Sequence, residues 1–190
     1  MISENGIYYC DQNVKVGETT YWTSGRIIIP IYNKNGEAVS WQGRDITGRS
    51  KIKYLFPPGF KGAENLYNIH RAKPGKRLIV CEGVFDAFGW MMAGVNNVAA
   101  TFGKKISDHQ LQLLVELEPT CLMLAWDTDA MTQKYEFVER HGHLFRNVRI
   151  VDLAGKDADE LDSTTKRDAL SSAVPYSWDQ KILNTLKQSK

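Results

Sequence analysis

The stretch Leu78-Ile79-Val80-Cys81-Glu82-Gly83-Val84-Phe85-Asp86 decides how the chain is read. A continuous apolar run ends abruptly in a carboxylate and a glycine, and a helix-like stretch follows at once. Such a run bounded by a turn reads as a strand buried on both faces, which is the habit of parallel sheets. It delivers Glu82 to the carboxyl end of that strand, where open α/β sheets bind their ligands. The pattern recurs in Cys121-Leu122-Met123-Leu124-Ala125-Trp126, which runs into Asp127-Thr128-Asp129. A third acidic cluster, Asp157-Ala158-Asp159-Glu160, follows the apolar segment 148–153. Three strand-like segments each lead into acid.

Outward from this centre the order is strand and helix in alternation: strand 77–82, helix 84–93 stopped by Gly94, strand 97–100, a helix opening at Ser107, strand 120–126, helix 130–145 and strand 147–152. Ser107 with Gln110 three residues on has the form of a capping box. Alternation of this kind predicts parallel strands joined by helical crossovers. Upstream, Arg26-Ile27-Ile28-Ile29-Pro30-Ile31-Tyr32 and residues 37–42 flank the turn Asn33-Lys34-Asn35-Gly36 and predict a β-hairpin. Residues 1–25 show no clean period and read as irregular with one short strand, residues 43–62 as a basic loop, and residues 63–70 as a short helix. The expected class is α/β (α+β overall), a mostly parallel sheet flanked by helices and preceded by a small basic β-rich subdomain. The expected boundaries are 1–76, 77–162 and a helical tail at 163–190.

With 190 residues, 43% of them hydrophobic and 24% charged, the chain suits a globular protein with a real core. No apolar run is long enough to span a membrane, and no signal-type segment opens the chain. Three cysteines without CxxC spacing argue against a disulfide framework or a cysteine zinc site, and a cytoplasmic setting follows as the expectation. The net charge of +2 is unevenly spread: residues 1–80 carry 12 Lys/Arg against 6 Asp/Glu, and residues 81–190 carry 12 against 16. A basic first part suits a polyanion and an acidic second part suits a divalent cation, a pairing found where nucleic acid or nucleotides are handled with metal.

Asp127 and Asp129 share one face if the chain stays extended there. Two such carboxylates repel unless a cation lies between them, and Mg²⁺ takes oxygen ligands of this kind. Asp157 and Asp159 repeat the spacing, Glu82 adds an acid, and Asp86, one helical turn beyond, points back towards it. Either aspartate pair taken alone reads as a helix cap or a solvated loop acid; the recurrence after successive strands is what favours a site. Arg44, Arg49, Lys51, Lys53, Lys61, Arg71, Lys73, Lys76 and Arg77 form a basic stretch interleaved with Trp41, Tyr54, Phe56 and Phe60. Cations for phosphates and aromatic faces for bases equip a single-strand groove; the plainer reading is a solvated face over core aromatics. His141 and His143 diverge on a helix and read as surface residues. There is no GxxxxGK[ST] loop and no nucleophile–histidine arrangement.

Glu82-Gly83-Val84-Phe85-Asp86 followed by Asp127-Thr128-Asp129 and Asp157-Ala158-Asp159 resembles the Toprim domain of bacterial-type primases, type IA and II topoisomerases, OLD-family nucleases and RecR-like proteins. The upstream segments narrow the resemblance. Gly25 to Ile31, Asn35-Gly36, Gln42-Gly43-Arg44, Lys53-Tyr54-Leu55 and Asn65-Leu66-Tyr67 look like the basic subdomain of bacterial and phage primases, and Ala100-Thr101-Phe102-Gly103 and Gly155-Lys156-Asp157-Ala158-Asp159-Glu160 also resemble primase segments.

The resemblance implies a primase catalytic core that makes short RNA primers on single-stranded DNA from NTPs. It implies Mg²⁺ or Mn²⁺ held by Glu82, Asp86, Asp127, Asp129, Asp157 and Asp159, with Glu82, Asp127 and Asp129 catalytic. It further implies nucleotide or template contacts from Arg44, Lys51, Lys53, Tyr54, Gly103 and Lys156. Two departures stand out. Thr128 occupies a position where primases commonly have glycine, which implies a less adaptable backbone. There is also no zinc-binding domain and no helicase-binding domain in this chain. That implies a stripped, phage-encoded core completed by a separate zinc-binding template-recognition subunit and a replicative helicase, or a fragment of a longer primase-helicase. A Toprim nuclease would share the acids but not the basic subdomain, and a recombination-mediator-like DNA-binding module would need neither for catalysis.

Overall fold

The structure is a computed structural model and describes residues 6–155 and 160–176. The chain divides into two compact units, residues 1–61 and 62–190.

The first unit is built on antiparallel strands. Strands β1 (Tyr8–Cys10), β4 (Arg26–Tyr32), β5 (Ala38–Asp45) and β6 (Tyr54–Leu55) form one sheet in the order β1-β4-β5-β6, and β2 (Val14–Val16) and β3 (Thr19–Tyr21) form a separate hairpin. Alternation along β4 puts Ile29 and Ile31 fully inside. Pro30 lies past the end of β1, which pairs only with Arg26, Ile27 and Ile28, so its missing N–H falls where β4 has become an edge. In the β4–β5 turn Asn33 Oδ1 accepts from the backbone N–H of both Asn35 and Glu37, at 3.0 Å each, and Gly36 supplies the left-handed φ of 82°. Described residues 6–25 hold three short strands rather than one, and the expected basic loop loses its first residues to β5 and is interrupted by β6. Strands of three residues are too brief to show a period.

The second unit carries β7 (Leu78–Cys81), α1 (Val84–Met92), β8 (Val98–Ala100), α2 (Asp108–Glu116), β9 (Leu122–Leu124), α3 (Met131–His141), β10 (Val148–Ile150), α4 (Ser163–Ser171) and β11 (Val174–Pro175). The sheet order is β11-β10-β9-β7-β8. All pairs from β10 to β8 are parallel, and the edge strand β11 is antiparallel. The mixed α/β class and the mostly parallel sheet are as expected. The connection β7-α1-β8 runs one way along the sheet and β9-α3-β10 runs the other. Right-handed crossovers then put α1 on one face and α2 and α3 on the opposite one. The reversal places the topological switch point between the carboxyl ends of β7 and β9.

Every residue of β7, β8 and β9 is buried. Leu78, Val80, Leu122, Leu124, Leu114, Phe137 and Val138 join one apolar cluster. The capping box is present: Ser107 Oγ accepts from Gln110 N and Gln110 Oε1 accepts from Ser107 N, both at 3.1 Å. The compact units divide at 61/62, and residues 62–76 are tied to the second sheet. Tyr67 and Ala100 exchange backbone hydrogen bonds of 2.9 and 3.2 Å. Asn68 Nδ2 donates to Val98 O at 2.9 Å, and buried Gln110 donates to the carbonyls of Gly62, Asn65 and Thr101. The short helix expected at 63–70 is instead two single 3-10 turns, Gly62–Glu64 and Ile69–Arg71.

Candidate active site and nucleic-acid interface

The parallel register brings the strand ends together. Val80 and Ile150 both pair with Leu124, and the ladder continues through Ala125 N to Val80 O (2.8 Å) and Val151 N to Leu124 O (3.0 Å). Two residues further along each strand stand Glu82, Trp126 and Asp152, with Asp127 next after the buried Trp126. Glu82 and Asp127, both half-buried, therefore flank the switch point.

Each acid has a local reason for its position. Asp86 is buried in the first turn of α1, where its Oδ2 accepts from Gly83 N at 2.8 Å; it braces the turn that carries Glu82. Gly103 N donates to the Glu82 carbonyl at 3.3 Å, with Gly103 at φ 150°, so the loop after β8 closes over the Glu82 backbone. Asp127 ends the extended run, and a 3-10 turn, Thr128–Ala130, begins at once. This corrects the expectation that Asp127 and Asp129 share one face of an extended chain. Asp129 is carried round the turn, its side chain 67% exposed, and pairs with Lys104 from the loop after β8.

Thr128 has a hydrogen-bonding role of its own. Its Oγ1 accepts from Gly155 N at 3.1 Å, which ties the Asp127–Asp129 turn to the loop leading into residues 156–159. Lys156, Asp157 and Asp159 themselves lie outside the described residues.

The electrostatics show that the acids share one neighbourhood. The hydrogen bond to Asp129, followed by the fields of Glu82, Asp129 and Asp127, raises the Lys104 ammonium above its usual range. Burial, followed by Asp86 and then by Asp127 and Glu82, pushes the Cys81 thiol well up, which makes it an inert core residue. Among the described residues no three acids, histidines or cysteines close into a preformed metal cage. The donor set nevertheless fits Mg²⁺, which keeps several waters and takes one or two carboxylates rather than a full protein shell.

Two residues here were missed from the sequence. Asp152 ends β10 as Glu82 ends β7, but the doublet at 157 and 159 drew attention past it. Lys134 sits on α3, where a lysine ordinarily signals the solvent side; it is instead fully buried, with Nζ donating to Val151 O at 3.0 Å.

In the first unit, the Arg44 guanidinium carbon lies 4.7 Å above the centre of the Tyr54 ring, its cross-strand partner, and Lys53 Nζ lies 5.7 Å from the same ring. Lys51, Lys53 and Tyr54 are exposed. Three of the four aromatics expected for base stacking pack among themselves or against the fold: Phe56 stacks on Phe60 at 4.7 Å and Trp41 meets Tyr21 edge-on at 5.8 Å. The exposed aromatics are Tyr54 and, in stretches that gave no signal, Tyr8, Tyr9 and Trp22.

The segment carrying Lys51 and Lys53 is anchored by buried Arg26. Its Nε donates to Trp22 O at 3.0 Å, Nη1 to Gly43 O and Lys53 O at 3.4 Å, and Nη2 to Ser50 Oγ and Ile52 O at 2.8 Å. Gly43 leaves room for it, since a Cβ there would stand 3.2 Å from Arg26 Cδ.

Fold and site together define the class: a Toprim-type α/β domain with acids at its switch point, accompanied by a basic β-rich unit. Residues 3–73 match the family described as DNA primase catalytic core, N-terminal domain, and residues 79–162 match the Toprim-like family. The chain therefore has the domain make-up of a Toprim-containing DNA primase core. It is 35% identical over 156 residues to the DNA primase of Mycoplasma pneumoniae, covering 76% of this chain and 25% of that protein. The chain spans about a quarter of the length of the curated relatives it matches. Among solved structures, a DnaG primase catalytic domain bound to ssDNA superposes with a TM-score of 0.72 at 21% identity, covering 92% of this chain and 67% of that one. The zinc-binding and RNA polymerase domains of the Aquifex aeolicus primase give 0.77 at 19%, covering 92% and 53%. The N-terminal family match runs into the second compact unit, so residues 62–73 belong with the first domain by sequence and with the second by packing.

Proposed function

We propose that this chain is the catalytic core of a DNA primase, joining NTPs into short RNA on a single-stranded DNA template. One observation carries the reading: a primase-type N-terminal domain and a Toprim domain lie in one chain, with Glu82 and Asp127 at the switch point of the second. The Toprim nuclease and the recombination-mediator-like module account for the acids or for DNA binding, but neither calls for the match over residues 3–73.

In the reaction the 3′-hydroxyl of one nucleotide attacks the α-phosphorus of the next; a P–O bond forms and pyrophosphate leaves. Glu82, Asp127 and Asp129, joined by Asp157 or Asp159, would hold Mg²⁺ or Mn²⁺, which supplies charge neutralisation at the triphosphate and orients the attacking oxygen. Asp86 holds the Glu82 turn, and Glu82 serves as ligand or as acceptor of the hydroxyl proton. Arg44, Lys51, Lys53 and Tyr54 take template or nucleotide phosphates and bases, and Gly103 with Lys156 borders the nucleotide. A separate zinc-binding subunit and a replicative helicase would present the template, in a bacterial cytoplasm and for a phage-encoded core. Among the described residues no helix is long and apolar enough to cross a membrane.

The test uses Asp127→Asn and Asp129→Ala with labelled NTPs, Mn²⁺ and a short single-stranded template. Loss of RNA product with unchanged melting supports the reading. Full turnover in the double variant would show that the acids have been misassigned, and template degradation without RNA would favour the nuclease.

A further inference from the structure

An ammonium removed from water is costly unless opposing charge and hydrogen bonds compensate it, and Lys134 is wholly removed. The reading above gives it no role. It lies in the first half of α3, the helix that leaves directly from the Asp127–Asp129 turn, and its Nζ donates to the Val151 carbonyl at the end of β10. The next residue is Asp152. Burial lowers this ammonium to about 8, while the fields of Asp152, Asp127 and Asp129, in that order, act to keep it charged. Among the described residues its hydrogen bond is to a carbonyl, so the three carboxylates act on it through space. The lysine thus sits inside the protein beneath the acidic strand ends, while Lys104 pairs with Asp129 from the solvent side.

We propose that Lys134 is the fixed internal counter-charge of the acidic site: anchored on the Val151 carbonyl, it offsets Asp127, Asp129 and Asp152 when no divalent cation is bound, and so limits how tightly one is held. The proposal rests on the reading of Asp127 and Asp129 as cation ligands. Two consequences follow from its place in the fold. The acids can lie together in the metal-free protein without forcing the turn open, because their repulsion is partly cancelled from within. A cation delivered with a triphosphate can also leave with pyrophosphate, because the site does not hold it at full negative charge. Lys134 touches no reacting atom in this scheme and is a positioning residue.

The test is Lys134→Met, which keeps length and volume and removes the charge. Mn²⁺ affinity of the full chain, measured without nucleotide by calorimetry, should rise on the order of tenfold, the scale on which a unit charge acts through a medium of effective dielectric near ~20. A lysine serving only as packing and as a donor to Val151 would leave the affinity equal or lower it. Either result in a variant that melts like the wild type overturns the proposal.

A second measurement needs no metal. The Lys134 ε-carbon resonance is titrated in the wild type, in Asp152→Asn and in Asp127→Asn. Its midpoint should fall in both variants, and an unmoved midpoint in both overturns the counter-charge whether or not Lys134→Met folds. If the wild type binds no Mn²⁺ yet the midpoint falls, the metal reading fails and the counter-charge stands.

Discussion

Replacing Arg26 by Met tests how the basic segment is held. The side chain is 3% exposed and makes five hydrogen bonds, four of them to backbone carbonyls of Trp22, Gly43, Ile52 and Lys53. A hydrogen bond from a charged donor contributes roughly 1.5–3 kcal/mol. The two at 2.8 Å and the one at 3.0 Å have good distances, and the two at 3.4 Å are weak. Simple addition overstates the loss, because freed carbonyls regain water once residues 50–53 loosen, and because the methionine retains most of the packing over Gly43. The expected cost is about 3 kcal/mol, which lowers the urea midpoint of the first unit by about 1.5 M for a slope near ~2 kcal/mol per molar. The functional consequence is specific. Lys51 and Lys53 lose their fixed spacing, so single-stranded DNA affinity falls even at urea concentrations where the variant is fully folded. A variant that loses under about 0.5 kcal/mol and binds DNA as the wild type does would refute the reasoning, since the five bonds would then contribute nothing that water does not replace.

Other expectations follow from the same geometry. Lys134 titrates lower in the folded protein than in the unfolded chain, where it has the ordinary value of 10.5. The unfolded state therefore binds more protons between about pH 8 and pH 10.5, and the Lys134 contribution to stability rises with pH across that window. Stability curves of the wild type and Lys134→Met should converge in favour of the wild type by about 3 kcal/mol over it, the worth of roughly 2.5 pH units at 1.36 kcal/mol each; parallel curves would contradict the assignment. Single-stranded DNA binding should weaken steeply with added salt, and Arg44→Ala or Lys53→Ala should each reduce the slope of log affinity against log salt by about 0.7, as expected for one lost phosphate contact. A slope unchanged in both variants would exclude these residues from the backbone path. Thr128→Val, which removes the acceptor of the Gly155 N–H, should cost about 1 kcal/mol and weaken Mn²⁺ binding; a variant unchanged in both would show that the tie does not position the turn.

How much of this was legible before the structure depends on burial. Strands β7 and β9 stood out because a parallel strand covered on both faces must be apolar throughout, and each ends against a charge. The Ser107–Gln110 capping box and the Asn33–Gly36 turn were legible because their chemistry is local to a few residues. The first 25 residues were not, since three-residue strands with exposed Tyr8, Tyr9 and Trp22 show neither a period nor a buried face. The packing of residues 62–76 on the second unit depends on long-range hydrogen bonds from Asn68 and Gln110 that no neighbouring residue announces. Asp129 was misplaced in the expectation because the chain turns at Asp127, one residue before the extended geometry could apply. Lys134 was invisible for the opposite reason: a lysine among polar helix residues reads as solvent-facing, and only the tertiary fold buries it, sets its Nζ on the Val151 carbonyl and brings it within the fields of three carboxylates.

The most direct measurement is dinucleotide formation by the purified chain, with labelled NTPs, Mn²⁺ and a short single-stranded DNA template, comparing the wild type with Glu82→Gln. Glutamine keeps the size of the side chain and its hydrogen-bonding reach but removes the charge, so the β7–α1 turn braced by Asp86 is undisturbed. The account predicts weak, template-dependent RNA synthesis by the wild type, stronger when a zinc-binding template-recognition partner is added, and its loss in Glu82→Gln at unchanged stability. RNA synthesis that persists at wild-type rate in Glu82→Gln would contradict the account.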